Sequence, residues 1–208
     1  EQKIVEEGGI DFQLLGIGRT GHIGFNEPGS NYDSLTRLVY LDYLTRNDAR
    51  KAFNGMENVP TTAITMGIKT IRKSKRIVLM AWGNNKSYVV KNAIEGDIDS
   101  NISASYLQNH KNVTFVLDKT ASDELTRVKS PWRTGSCKWT EKLKAKAVAW
   151  LCNRTNKSIL NLTESDYNKN NLSELLLEKS YDELNLDFYK RIHRSITGWP
   201  GGKPNSDD

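Results

Sequence analysis

The chain has 208 residues, 37% of them hydrophobic and 26% charged, enough for one large domain or one domain with an appendage. No apolar run approaches the roughly 18 to 20 residues needed to span a bilayer, which argues against membrane insertion. Thirty Lys and Arg against 25 Asp and Glu leave a net charge of +5, but the basic residues are dispersed. With no block of like charge, no aromatic–basic interleaving and no zinc-finger spacing, the pattern speaks against nucleic acid and leaves an anionic small molecule as the sharper reading.

The chain opens on Glu1, Gln2 and Lys3, with no methionine and no targeting leader, and reads as a fragment. Residues 10–129 alternate short β-branched apolar runs with segments of helical period, the signature of an α/β unit with parallel strands and crossover helices. The predicted strands are 12–17, 38–41, 63–66, 77–82 and 113–117. Predicted helices fill the gaps at 45–53, begun by Thr45 as a cap, at 86–94, with Val89, Val90 and Ala93 on one face, and at 122–128. The first strand is continuous enough to be interior, so it calls for a neighbour on each side, and only a short stub precedes it. Beyond Ser130-Pro131-Trp132 the composition changes to helical spacing at 139–152, an Asn-rich stretch, and helices near 172–177 and 181–196. This predicts a helical extension over 130–197, with Trp132, Trp139 and Trp150 packing it onto the sheet or serving an interface. Residues 198–208 are too rich in Pro and Gly for helix or central strand and read as a linker or tail. Cys137 and Cys152 fit neither a disulfide framework nor a zinc motif, which favours a reducing, cytoplasmic setting.

The chemistry concentrates in Gly16-Ile-Gly-Arg-Thr-Gly-His-Ile-Gly-Phe-Asn-Glu-Pro-Gly29, directly after the first predicted strand. Glycine density lets backbone approach a ligand closely, and strand carboxyl ends are where α/β sheets gather ligands. His22 is the leading catalytic candidate because an imidazole takes and returns a proton near neutral pH, and Glu27 is the carboxylate that would orient it. Gly16, Gly18 and Gly21 match the spacing of a dinucleotide fingerprint. Neither the helix that should follow Gly21 nor a well-placed downstream acid is present, which disfavours NAD.

The same loop resembles the signature of the glucosamine-6-phosphate deaminases. Further matches follow in order at Thr36-Arg37, Leu41-Asp42, Thr45-Arg46, Val59-Pro60, Ala63-Ile-Thr-Met-Gly67, Lys86 and Ala93-Ile-Glu-Gly96, so that the likeness covers about residues 1–129. It implies a Rossmann-like parallel sheet with flanking helices, lacking its N-terminal part. The region after residue 129 looks like a bacterial form with an added C-terminal region, in some relatives followed by a deacetylase-like domain.

The implied reaction turns glucosamine 6-phosphate into fructose 6-phosphate and ammonia without metal or organic cofactor. The resemblance makes His22 the ring-opening residue and Glu27 part of its relay. It puts Thr20 where most relatives carry an acid or amide, although a hydroxyl is no base near neutral pH. Lys86 corresponds to the phosphate-contacting lysine, Arg50 and Lys51 share a second phosphate position, and Gly18 and Gly21 belong to the substrate loop. Arg37 and Arg46 are read as structural ion-pair partners, and Lys69 as an alteration in a ligand-facing loop at 67–70. The aspartate that removes the C2 proton and the Ser/Thr phosphate loop match nothing here, so the 208-residue chain by itself is expected to be inactive. Competing readings are a noncatalytic sugar-phosphate sensor and a related isomerase or lactonase; a homo-oligomer is also compatible.

Overall fold

A computed structural model describes residues 1–197, and the expected tail at 198–208 lies outside the described residues. The chain divides into two compact units, Glu1–Val128 and a second beginning at Lys129. Among the described residues no helix is long and apolar enough to cross a membrane.

The first unit runs α1 (Gln2–Glu6), β1 (Phe12–Gly16), β2 (Arg37–Tyr40), α2 (Tyr43–Ala49), β3 (Thr62–Thr65), α3 (Ile68–Arg72), β4 (Arg76–Ala81), α4 (Ser87–Glu95), β5 (Val113–Leu117) and α5 (Thr126–Lys129). Three strands form a parallel sheet in the order β1-β4-β5, with Leu15 opposite Leu79 and Leu79 opposite Phe115. The alternation in β4 buries Ile77, Leu79 and Ala81 on one face, where α4 supplies Val89, Val90 and Ala93 to the same core. This is the α/β architecture read from the sequence, with differences of physical origin.

The strands β2 and β3 do not join the sheet. They pair antiparallel with each other, Arg37 opposite Thr65 and Tyr40 opposite Thr62. Their apolar residues include Leu38, Tyr40 and Ile64, at 64%, 79% and 73% exposure, whereas an inner parallel strand is covered on both faces. An apolar run marks a strand without saying which sheet takes it. Likewise β1, expected to be interior, pairs only with β4 among the described residues, and Phe12 and Leu14 stay exposed.

Three helix assignments shift as well. The cap of α2 is Asp42, whose carboxylate accepts the Leu44 amide at 2.7 Å, not Thr45, which lies within the helix. The helix expected from residue 122 is regular only from Thr126, because Asp118 captures the Ala121 amide and the Thr120 hydroxyl and holds a turn there. The stretch expected as a ligand-facing loop at 67–70 instead starts α3. Gly67 is required there because a Cβ would lie 2.1 Å from the Ser34 carbonyl oxygen.

The second unit contains a 3-10 turn at Pro131–Arg133, α6 (Glu141–Thr155), α7 (Glu164–Lys169), a 3-10 segment at Ser173–Leu176 and α8 (Tyr181–Thr197). Thr140 caps α6 through the Leu143 amide, and Asn156 ends it in the left-handed conformation at φ 55°. The helix α7 was hidden in the Asn-rich stretch; the Thr163–Asp166 capping box starts it and buried Tyr167 anchors it. Trp132 stacks on Trp139 at 6.0 Å and meets the edge of Trp150 at 5.9 Å. Trp132 lies in this unit's own core with Val148, Leu151 and Leu172, and Trp139 and Trp150 pack against it.

Candidate active site

The loop leaving β1 is closed upon itself. The Gly18 amide donates to the His22 carbonyl and the Gly21 amide to the Gly18 carbonyl, both at 3.0 Å. Gly21 adopts φ +85°, a conformation side-chain-bearing residues avoid, and a Cβ there would come within 2.8 Å of Ile102. Further on, Ile23 and Asn26 are fully buried. The Asn26 amide group donates to the Ile23 and Met66 carbonyls at 3.0 and 2.8 Å and accepts from Arg37 Nη1 at 2.9 Å. The loop is therefore pinned on both sides of His22, and the ring orientation follows from fixed backbone.

His22 Nδ1 lies 3.0 Å from Glu27 Oε2, 2.9 Å from Thr20 Oγ1 and 3.4 Å from Thr45 Oγ1. The Thr20 hydroxyl also reaches Glu27 Oε2 at 3.4 Å, while Glu27 Oε1 accepts the Asp42 amide at 3.3 Å. Burial works to raise the Glu27 carboxyl, but hydrogen bonds from His22 and Thr45, the His22 charge and the Asp42 amide outweigh it and hold the group below its ordinary value. An ionised Glu27 accepts the Nδ1 proton, so in the neutral ring the network favours the tautomer with Nδ1–H and a lone pair on Nε2. Among the described residues no hydrogen bond reaches Nε2, and the ring lies against Gly18, where a Cβ would fall 2.1 Å from Cε1. Such an arrangement can take a proton at Nε2 and stabilise the imidazolium through Glu27.

Lys86 is half-buried at the end of the 3-10 turn Asn84–Lys86 that leads into α4. Burial lowers its pKa, the Asp48 carboxylate opposes that, and Arg19 adds to it. Arg19 itself grips Asp48 through Nε at 2.9 Å and Nη2 at 2.5 Å, so this pair and Lys86 lie within one electrostatic neighbourhood. Arg50 and Lys51 are exposed at the end of α2, and among the described residues no hydrogen bond joins them to the histidine cluster. Among the described residues Arg37 and Arg46 have no ion-pair partner, contrary to expectation. Arg37 bonds Asn26 and Ser30, and Arg46 donates to the Met56 and Val59 carbonyls, because neutral acceptors are what the fold brings to them. Lys69 sits 3.9 Å from Asp33. Among the described residues no group of three or more His, Cys, Asp and Glu is placed to hold a metal ion.

Sequence reasoning missed two contributors. Thr45 was read as a helix cap but turns its hydroxyl to the His22–Glu27 pair; its signal was Asp42, the better cap, three residues earlier. Asn26 was only a letter in the loop motif, although an amide among apolar neighbours is a candidate for a buried hydrogen-bond hub.

Fold and site together define an α/β unit that places a hydrogen-bonded His22–Glu27–Thr20 cluster on the loop leaving a parallel strand. That unit makes the chain a relative of the glucosamine-6-phosphate deaminases. It is 49% identical over 124 residues to the glucosamine-6-phosphate deaminase of Listeria monocytogenes, a match covering 60% of this chain and 53% of that protein. A glucosamine-6-phosphate deaminase-like protein of Bacteroides thetaiotaomicron is 51% identical over 209 residues, covering the whole of this chain and 32% of the relative. A solved monomeric glucosamine-6-phosphate deaminase superposes with a TM-score of 0.58 at 44% identity, over 60% of this chain and 52% of that one. No family model matches the chain. The chain thus spans about half the length of the deaminases it matches and about a third of the Bacteroides relative.

Proposed function

We propose that this chain is the ring-opening part of a cytoplasmic glucosamine-6-phosphate deaminase. The overall reaction consumes water and sugar phosphate and releases fructose 6-phosphate and ammonia, as a hydrolase classification would record. The observation that carries the reading is His22 Nδ1 at 3.0 Å from Glu27 Oε2, with no hydrogen bond to Nε2 among the described residues. In the proposed first step Nε2 removes the anomeric hydroxyl proton and returns it to the ring oxygen as the C1–O5 bond breaks. The aldehyde forms with no net proton change, and Glu27 stabilises the transient imidazolium. Thr20 and Thr45 hold the carboxylate and ring in register, and Lys86 contributes positive charge toward the phosphate, for which Arg50 and Lys51 remain further candidates. Gly18 and Gly21 give the substrate loop its close approach.

Moving the C2 proton requires a second base, and no residue of this chain fills that role in the reading. Turnover is therefore assigned to the full-length product and not to these 208 residues. Thr20, a hydroxyl where an acid or amide is usual in the family, favours one rival: a sugar-phosphate sensor that keeps recognition and lacks chemistry. Ammonia release from glucosamine 6-phosphate by the full-length product, compared with its His22→Ala variant, decides between them. Release that disappears with the substitution supports the deaminase. Binding of the sugar phosphate with no ammonia from the unsubstituted protein sinks it and leaves the sensor.

A further inference from the structure

In the second unit Arg133, Arg154 and Lys169 line one cavity of about 420 Å³ together with Trp150, Asn170 and Asn171, and no carboxylate lines it. Elsewhere in this unit Lys144, Lys157, Lys179 and Arg191 each pair with an acid. The three cavity cations have no ion-pair partner among the described residues; Arg133 instead sits over the Trp150 ring, 5.5 Å from its centroid. Arg154 and Lys169 stand in the last turns of α6 and α7, where a cation complements the helix dipole. That accounts for two isolated charges. It does not explain why a third cation, from the turn Pro131–Arg133, converges on the same space, since like charges gathered without an acid repel each other.

The adjoining cleft shares Arg133 and Asn171 and is lined by Trp139 and Glu174. Glu174 is held by the Trp139 indole N–H at 2.7 Å, so the neighbouring acid is already engaged. Asn170 uses its amide N–H on the Asp166 carbonyl at 2.7 Å, which leaves its side-chain oxygen to accept from a ligand hydroxyl. A volume of this order suits a small molecule: guanidinium forks and an ammonium recognise a phosphate, while the half-buried Trp150 indole, overhung by Arg133, adds apolar surface for a sugar ring.

We propose that this cavity is a binding site for a small sugar phosphate, separate from the His22 loop. All six residues lie in the second unit, so the inference stands independently of the deaminase reading. The test follows the indole N–H resonance of Trp150, assigned with a Trp150→Phe variant, during titration of the full-length product with glucose 6-phosphate, inorganic phosphate and glucose. Glucose 6-phosphate should shift the resonance in a salt-sensitive manner, bind more tightly than inorganic phosphate, and still do so in a Lys86→Ala background, while glucose leaves the resonance in place. Arg154→Ala and Lys169→Ala remove exposed, unpaired side chains and should each weaken binding ~tenfold, as loss of one charge-assisted contact predicts. No shift with glucose 6-phosphate, a shift indifferent to both variants, or phosphate alone binding as tightly as the sugar phosphate overturns the proposal.

Discussion

Replacing Gly18 with alanine tests whether the backbone beneath His22 sets the position of the ring. A Cβ at this position would stand 2.1 Å from His22 Cε1, 2.3 Å from Nε2 and 2.4 Å from Nδ1. Non-bonded carbons prefer about 3.5 Å, so the ring must retreat by more than about 1 Å. Gly18 is not among the glycines with positive φ, so alanine meets no backbone penalty and the perturbation is purely steric. Retreat stretches the 3.0 Å contact with Glu27 and the 2.9 Å contact with Thr20 beyond useful hydrogen bonding. Overpacking of this kind costs about 1–3 kcal/mol of stability. A displacement near 1 Å at a reacting group lowers turnover by about 100-fold. Ammonia release by the full-length product reports the second effect, and urea unfolding followed in the same protein reports the first. The decisive control is the pair of substitutions together: once His22 is alanine, adding Gly18→Ala should cost almost nothing, giving a coupling of about 0.5–3 kcal/mol. Equal destabilisation with and without the imidazole would refute the argument, because the clash would then lie elsewhere.

Glu27, held below its ordinary value of 4.5 by His22, Thr45 and the Asp42 amide, stabilises the fold more as a carboxylate than as an acid. Its contribution is complete above the unfolded-chain pKa and lost as pH falls through the lower folded value, so circular dichroism should show Glu27→Gln with a shallower acid unfolding limb below about pH 4.5. Lys86 has the opposite sign: its depressed pKa means that its charge is disfavoured in the fold, a cost present at neutral pH and relieved as pH rises above the folded pKa. Lys86→Met should therefore raise the melting temperature while raising KM for the sugar phosphate, and a lower melting temperature would show that the Asp48 attraction outweighs burial. In the second unit the buried Tyr167 hydroxyl donates to Asn185 Oδ1 at 2.6 Å, and the Asn185 amide donates to the Leu162 carbonyl at 2.9 Å. Tyr167→Phe should cost about 1–3 kcal/mol in urea unfolding by orphaning that acceptor, whereas a change within error would mean that water replaces the hydroxyl.

The parallel strands were legible because their signal is local and strong. Ile77-Val78-Leu79 in β4 is apolar throughout, and its burial on one face with partial cover on the other fits an inner strand. The ribbon of β2 and β3 was legible as strands but not as a separate pair, since pairing depends on which surfaces remain unburied elsewhere, a property of the whole fold. Helix starts failed where two capping residues competed. Asp42 and Thr45 are both competent caps, and the choice rests on Thr45 having another use for its hydroxyl at His22. No periodicity within the helix carries that information.

The site divides along the same line. His22 and Glu27 could be paired from the sequence because five positions on one glycine-rich loop can bring two side chains together without help from distant chain, and the 3.0 Å contact is the result. Lys86 lies 64 positions from His22, and Asp48 reaches its neighbourhood only through the packing of α2, so that part of the electrostatics is invisible before folding. Thr20 shows what local geometry alone achieves. Its hydroxyl lies at 2.9 Å from Nδ1 and 3.4 Å from Glu27, close enough to fix the ring. A hydroxyl adds no negative charge, however, so in the proposed ring opening the imidazolium would rely on Glu27 as its directly bonded anion. In that proposal the electrostatic burden falls on a single carboxylate, so the Asp42 amide and the Thr45 hydroxyl that hold Glu27 below its ordinary pKa matter as much as the histidine does.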